Sequence, residues 1–207
     1  MHRAQHTRVG WMVVGIVGVG MLGLAFHGVR ASRPAARLPD RGGLPDFALI
    51  DHHGQPVTRA QLTGSVWVAD FIFTRCAGQC PLMSAQMAKL QEAFRGLPNV
   101  QLISFSVDPS HDSPGVLARY AHAYHAQAPR WRFVTGTESA IVRLAQEGFR
   151  LGVGKDGSAA EPITHSVRCV LVDHTGHIRG DYDATDPEAM HQLQADVRRL
   201  LQSPGPS

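Results

Sequence analysis

The sequence predicts an α/β domain built on a mixed central sheet, carried behind one membrane-spanning N-terminal helix. Three observations lead there. Short apolar runs rich in β-branched and aromatic residues alternate with stretches of helical period, a pattern that sets helices against a partly parallel sheet. The last two runs flank the turn His174-Thr175-Gly176, which adds an antiparallel hairpin and makes the sheet mixed. The stretch from Val9 to Phe26 carries no charge and is long enough to cross a bilayer.

A chain of 207 residues suits one domain plus an appendage. Hydrophobic residues at 43% and charged ones at 18% can form a packed core, so the chain is globular. The net charge of +3 comes without a basic block or an aromatic-interleaved Lys/Arg patch, which argues against nucleic acid as a partner. Residues 1–8 form a short tail and 9–29 the expected anchor. Arg3 and Arg8 precede it and Arg30, Arg33 and Arg37 follow, so the arginines alone do not orient it. The route of a signal anchor places the tail inside and the domain outside a bacterial-type cytoplasmic membrane, in the periplasm or beyond. Cleavage after Ala31 is the alternative. The Pro-, Arg- and Gly-rich stretch 30–43 reads as a linker, 44–201 as the folded domain, and 202–207 as a tail.

Within the domain, Phe47 to Ile50 and a segment around Val57 form a hairpin about Asp51-His52-His53-Gly54, with both histidines expected in a solvated turn. Val66 begins a strand, VWVADFIF, that runs into a turn bearing Cys76 and Cys80. Met83, Met87, Leu90 and Phe94 then recur at helical spacing. That stripe reads as core, with Met83 one helical turn from the thiols. Val100 to Val107 is a strand ending at Asp108-Pro109, where Asp108 holds the turn. Asp112 or Ser113 caps the next helix, with Pro114 in its first turn. His111, His122 and His125 have no partner at ligand spacing and fall on the surface. Trp131 to Val134 is a strand, Glu138 to Phe149 a helix, 152–161 a loop without phosphate-binding spacing, and Pro187 to Leu201 the terminal helix.

The thiol turn organises this layout. Pro81 suits the first turn of a helix, so Cys80 lies near the helix N-terminus, where unpaired N–H groups and the helix dipole favour thiolate. Three residues separate the cysteines, one more than in a C-x-x-C redox motif. The sulfurs can still form a reversible disulfide, and the wider turn also leaves room for a metal ion. A strand, thiol turn and helix followed later by a hairpin and a last helix make the thioredoxin-like pattern. In that fold the loop entering the hairpin lies beside the thiol turn, and His165 is on it.

The segments DFIFTRCAGQCP (Asp70 to Pro81), FSVDPSHDSP (Phe105 to Pro114) and THSVRCVLVDHTGHI (Thr164 to Ile178) resemble, in order and spacing, the Sco/SenC copper chaperones of cytochrome c oxidase assembly. The resemblance covers roughly Leu44 to Leu201, and the anchor stands in the family's usual place. It implies a thioredoxin-like domain holding one copper through Cys76, Cys80 and His165, with delivery to a copper-accepting oxidase subunit. It departs at two positions: Ala77 follows the first cysteine where proline is usual, and Thr164 precedes the histidine where an acidic residue is common.

Donor chemistry agrees with that implication. Two thiolates and an imidazole suit Cu(I), and with a further oxygen ligand they hold Cu(II). A structural zinc site would want a fourth protein ligand. Cys169 shares a strand face with His165 and reads as a buried small hydrophobe, not a ligand. Two functions use the same turn. One is a copper chaperone, served by an upstream copper donor or thiol reductant, that turns over no substrate and has no catalytic residue. The other is a membrane-tethered thiol-disulfide reductase in which Cys76 attacks and Cys80 resolves.

Overall fold

A computed structural model describes residues 37–151 and 167–202. Seven strands form one sheet: β1 (Ala48–Asp51), β2 (Pro56–Thr58), β3 (Val66–Ile72), β4 (Val100–Ser106), β5 (Trp131–Thr135), β6 (Arg168–Val172) and β7 (Ile178–Asp183). Their spatial order is β2-β1-β5-β4-β3-β6-β7. The central strands β5, β4 and β3 run parallel, and β1, β2, β6 and β7 add antiparallel pairings on either side. Parallel neighbours need crossovers, which here are α2 (Gln79–Ala93) between β3 and β4, and α3 (Pro114–Ala123) between β4 and β5. A short α1 (Arg59–Leu62), α4 (Glu138–Arg143) and the terminal α5 (Pro187–Gln202) complete the described elements. The expected mixed α/β sheet is therefore present.

Strand β3 shows why the sheet sits at the centre. Every residue but Phe71 is buried, so both faces meet a core. Val66, Val68 and Ile72 pack with Met83, Met87 and Leu90 of α2, Leu117 of α3 and Leu193 and Val197 of α5. Trp67 and Ala69 point the other way, toward Ile103, Phe105, Ile141 and Phe149.

Three features differ from the sequence expectations. Helix α4 stops at Arg143 and gives way to one wider π turn at Leu144–Gly148. A Cβ on Gly148 would come within 3.0 Å of Pro45 and 3.1 Å of Leu44, so only glycine lets the N-terminal segment approach this closely. That segment is itself docked: Arg41 and Leu44 donate backbone N–H groups to Ile178 and Gly176, and Ile178 donates to Gly42. Residues 41–43, linker-like in composition, thus pair with His177 and Ile178 at the start of β7. The third difference is His52, which is buried and not solvated. Its backbone N–H donates to Phe133 O over 2.9 Å, and its Nδ1 accepts the Phe133 N–H over 3.1 Å. Strand β1 pairs with β5, so the turn after it closes over the sheet. The His52 and His53 ring centroids lie 4.1 Å apart.

No helix among the described residues is long and apolar enough to cross a membrane. The expected anchor at 9–29 lies outside them.

Candidate metal and thiol site

Strand β3 ends at Ile72, and Cys76 donates its backbone N–H to Phe73 O over 3.2 Å, closing a turn that lifts the first cysteine off the strand. Helix α2 begins at Gln79 after the cap residue Gly78, which supplies no side-chain hydrogen bond. Cys80 is the second helical residue and Pro81 the third. The first-turn N–H groups are therefore open to a sulfur acceptor. Cys80 donates its N–H to Cys76 Sγ over 3.5 Å.

The two thiols differ. Cys76 is half-buried and Cys80 buried, and both are free thiols. Burial alone would raise the Cys76 thiol, but the N–H groups of Cys80, Gly78 and Gln79 and the Cys80 thiol outweigh it and hold Cys76 below the ordinary thiol value. Burial pushes Cys80 up to about 12, with further upward contributions from Cys76 and Asp70. A thiolate-prone sulfur at the edge and a proton-holding sulfur beneath it can act in sequence. The outer one attacks a disulfide or receives a soft metal first, and the inner one follows after losing its proton.

Asp70 lies within the strand below this turn. It is fully buried, and neither carboxyl oxygen has a hydrogen-bond partner among the described residues. Burial raises it to about 7; Ser104 stands opposite it in the β3–β4 register, short of a hydrogen bond, and its hydroxyl dipole offsets that rise only in part. A lone acidic residue inside the apolar run VWVADFI was a visible signal that sequence reading passed over. Cys169 is fully buried, shares the α2 face of the sheet with Cys80, and burial pushes its thiol up, with Asp70 adding to the rise. It behaves as the small core residue the sequence suggested. Met83 belongs to the same core, 3% exposed.

Around the turn, Asp108 accepts from Arg75 Nε and Nη2, so it binds the thiol turn as well as its own loop, where Ser110 Oγ donates to it. Burial would raise the Asp108 carboxyl, but Arg75 and Ser110 hold it below the usual range. Ser113 occupies the cap position of α3, while Asp112 turns inward to Thr74 and Ser106. His111, His122 and His125 are exposed, as expected. Cys76 and Cys80 are thus brought together. His165 lies outside the described residues, among which no cluster of three or more His, Cys, Asp or Glu side chains forms a metal site.

The SCO1/SenC family model matches residues 38–202. The chain belongs to the SCO1/SenC family. A SCO1 protein homolog of Bacillus subtilis (strain 168) is 33% identical over 154 residues, 73% of this chain and 79% of that protein. A putative copper-binding protein of Stutzerimonas stutzeri is 28% identical over 170 residues, 79% of each chain. Among solved structures, BsSco, a Sco-family cytochrome c oxidase assembly protein in which a disulfide switch was identified, is 30% identical. It superposes with a TM-score of 0.71 over 81% of this chain and 99% of its own. The thioredoxin-like fold expected from the element order is the fold of this family.

Proposed function

We propose that this SCO1/SenC protein is a membrane-anchored copper chaperone that holds one copper ion on Cys76, Cys80 and His165 and passes it to the binuclear copper site of a cytochrome oxidase subunit. The observation that carries the reading is the Cys76–Cys80 turn itself, with two free thiols four positions apart at the start of α2 and one of them activated by helix N–H groups. Thiolates are the donors that select Cu(I) over harder cations, and the half-buried position of Cys76 leaves a route for ligand exchange. Copper is the cargo of this reading, received from an upstream donor and released to the acceptor. The anchor at 9–29 would keep the domain at the outer face of the membrane, beside an oxidase subunit's exposed copper site.

A second reading is favoured by the contrast between the two thiols. A low thiol at the edge and a high one beneath it is also the arrangement of a thiol-disulfide reductase, in which Cys76 attacks the partner's disulfide and Cys80 resolves the mixed disulfide. That exchange leaves Cys76 and Cys80 joined as a disulfide, so a thiol reductant must restore both thiols before the pair can hold copper.

Metal analysis of the anaerobically reduced chain after copper exposure tests the proposal. One copper per chain is expected. Cys76→Ser and Cys80→Ser should each abolish stable binding, because a single thiolate cannot replace the pair, while Cys169→Ala keeps the stoichiometry. Undiminished copper in either single-thiol variant would remove the site as drawn.

A further inference from the structure

The turn that presents Cys76 is gripped from a distant part of the chain. Because Cys76 N–H bonds back to Phe73 O, Thr74 and Arg75 are the two central residues of a β-turn of which Cys76 is the last. The loop joining β4 to α3 holds both. Thr74 donates its backbone N–H to Asp112 Oδ2 over 3.1 Å and its hydroxyl to Oδ1 over 2.5 Å. Arg75 donates Nε and Nη2 to Asp108 Oδ2 over 3.1 and 2.5 Å.

The two grips are unequal. The Arg75 side chain is 54% exposed, so water screens its ion pair and competes for its donors. Asp112 is 0% exposed. It takes a third hydrogen bond from Ser106 Oγ over 2.6 Å, and its own N–H donates to Asp108 O over 2.8 Å. A buried carboxyl group is costly unless donors surround it. Two of the three side-chain bonds to Asp112 come from Thr74, so the group is satisfied only when the thiol turn is in place. Ser106 in turn accepts the Asp108 N–H over 3.2 Å, and Val107 N–H donates to Ile72 O over 2.9 Å, which joins the ends of β3 and β4 at the same point. Capping α3 does not account for Asp112, since Ser113 holds the cap position and both Asp112 oxygens point to the turn and to β4.

We infer that Asp112 is a positioning residue for the thiol site, its two-oxygen grip on Thr74 setting the turn that aims Cys76 Sγ at the Cys80 N–H and the N-terminus of α2. Loosening the grip lets the sulfur drift from those N–H groups. Cys76 then reacts more slowly as a nucleophile and contributes less to a two-thiolate site. The first consequence is independent of metal, and only the second rests on the copper-chaperone reading.

The test uses the full reduced chain as wild type, Thr74→Val, Asp112→Asn and Asp112→Ala. Alkylation of Cys76 by iodoacetamide is followed by peptide mass spectrometry across pH, beside Cu(I) competition titration and thermal unfolding. Thr74→Val keeps the shape and the backbone bond but loses the hydroxyl, and should move the alkylation profile to higher pH with a severalfold slower rate near neutrality. Asp112→Ala should move it further and weaken copper by about tenfold, the scale of losing a group that orients a metal ligand. Asp112→Asn, which retains one acceptor oxygen, should fall between. A lower unfolding midpoint with an unchanged alkylation profile in Asp112→Ala would make Asp112 merely structural. If that variant does not fold, an unchanged profile in Thr74→Val overturns the inference. A wild-type chain that takes up no copper would defeat the chaperone reading while alkylation still decides the role of Asp112.

Discussion

At the residue scale, the difference between Cys76 and Cys80 decides how copper can enter. Cys76 is held below the ordinary thiol value by the N–H groups at the start of α2, whereas Cys80, pushed up to about 12, carries its proton throughout the physiological range. Metal must therefore displace the Cys80 proton, and a ligand that binds only after proton loss gains apparent affinity as pH rises. The sign follows: below the Cys80 pKa, each unit of pH should strengthen Cu(I) binding by about tenfold for that one proton, and by more where Cys76 is also protonated. Competition titrations between about pH 6 and about pH 8 measure the slope directly. A flat profile would mean that Cys80 enters the site as a thiol or not at all. The cysteine pair and its helix-terminal setting were legible in the sequence because Pro81 and the apolar strand before Cys76 are local signals. The inequality of the thiols was not, since it depends on which sulfur faces the core.

At the element scale, the β6–β7 hairpin turns on Asp173, whose Oδ1 accepts the N–H groups of Thr175 and His177 and the Thr175 hydroxyl, while Oδ2 accepts Arg179 Nε over 2.6 Å. The residue is 2% exposed. Burial would raise its carboxyl, but these donors outweigh that and hold it below the usual range. A depressed folded-state pKa adds stability above the unfolded value, about 3.9, and that stability is lost as pH falls through the folded pKa. Asp173→Ala should cost about 2–3 kcal/mol at neutral pH by leaving charged and neutral donors unpaired, and should flatten the acid limb of the unfolding curve. Urea denaturation at neutral pH and in acid checks both. The turn at His174-Thr175-Gly176 could be read from its residues, because hairpin chemistry is local. What escaped were features set by contacts far along the chain. His52 is buried because β1 pairs with β5, and Asp112 faces Thr74, 38 positions away. Helix α4 widens where Gly148 meets Leu44 and Pro45. Local pattern carries no information about such partners.

At the scale of the whole molecule, the parallel strands β3 and β4 end beside the thiol turn, and the same end of the sheet gathers Asp108, Asp112 and Asp70 around it. The order of strands and helices was readable because alternating apolar runs and helical stripes admit few topologies. The third proposed ligand, His165, was placed from that topology and from the family resemblance, which makes it the point on which chaperone and reductase part. A reductase needs two thiols, and a copper carrier needs a third donor to keep a two-thiolate ion from competing ligands. The decisive measurement is a Cu(I) competition titration against a chelator, run on wild type and His165→Ala beside a disulfide-reduction assay on the same preparations. The account predicts that His165→Ala loses at least about tenfold in copper affinity while retaining most of its disulfide reduction. Unchanged copper affinity with collapsed disulfide reduction would contradict it and leave the oxidoreductase reading in its place.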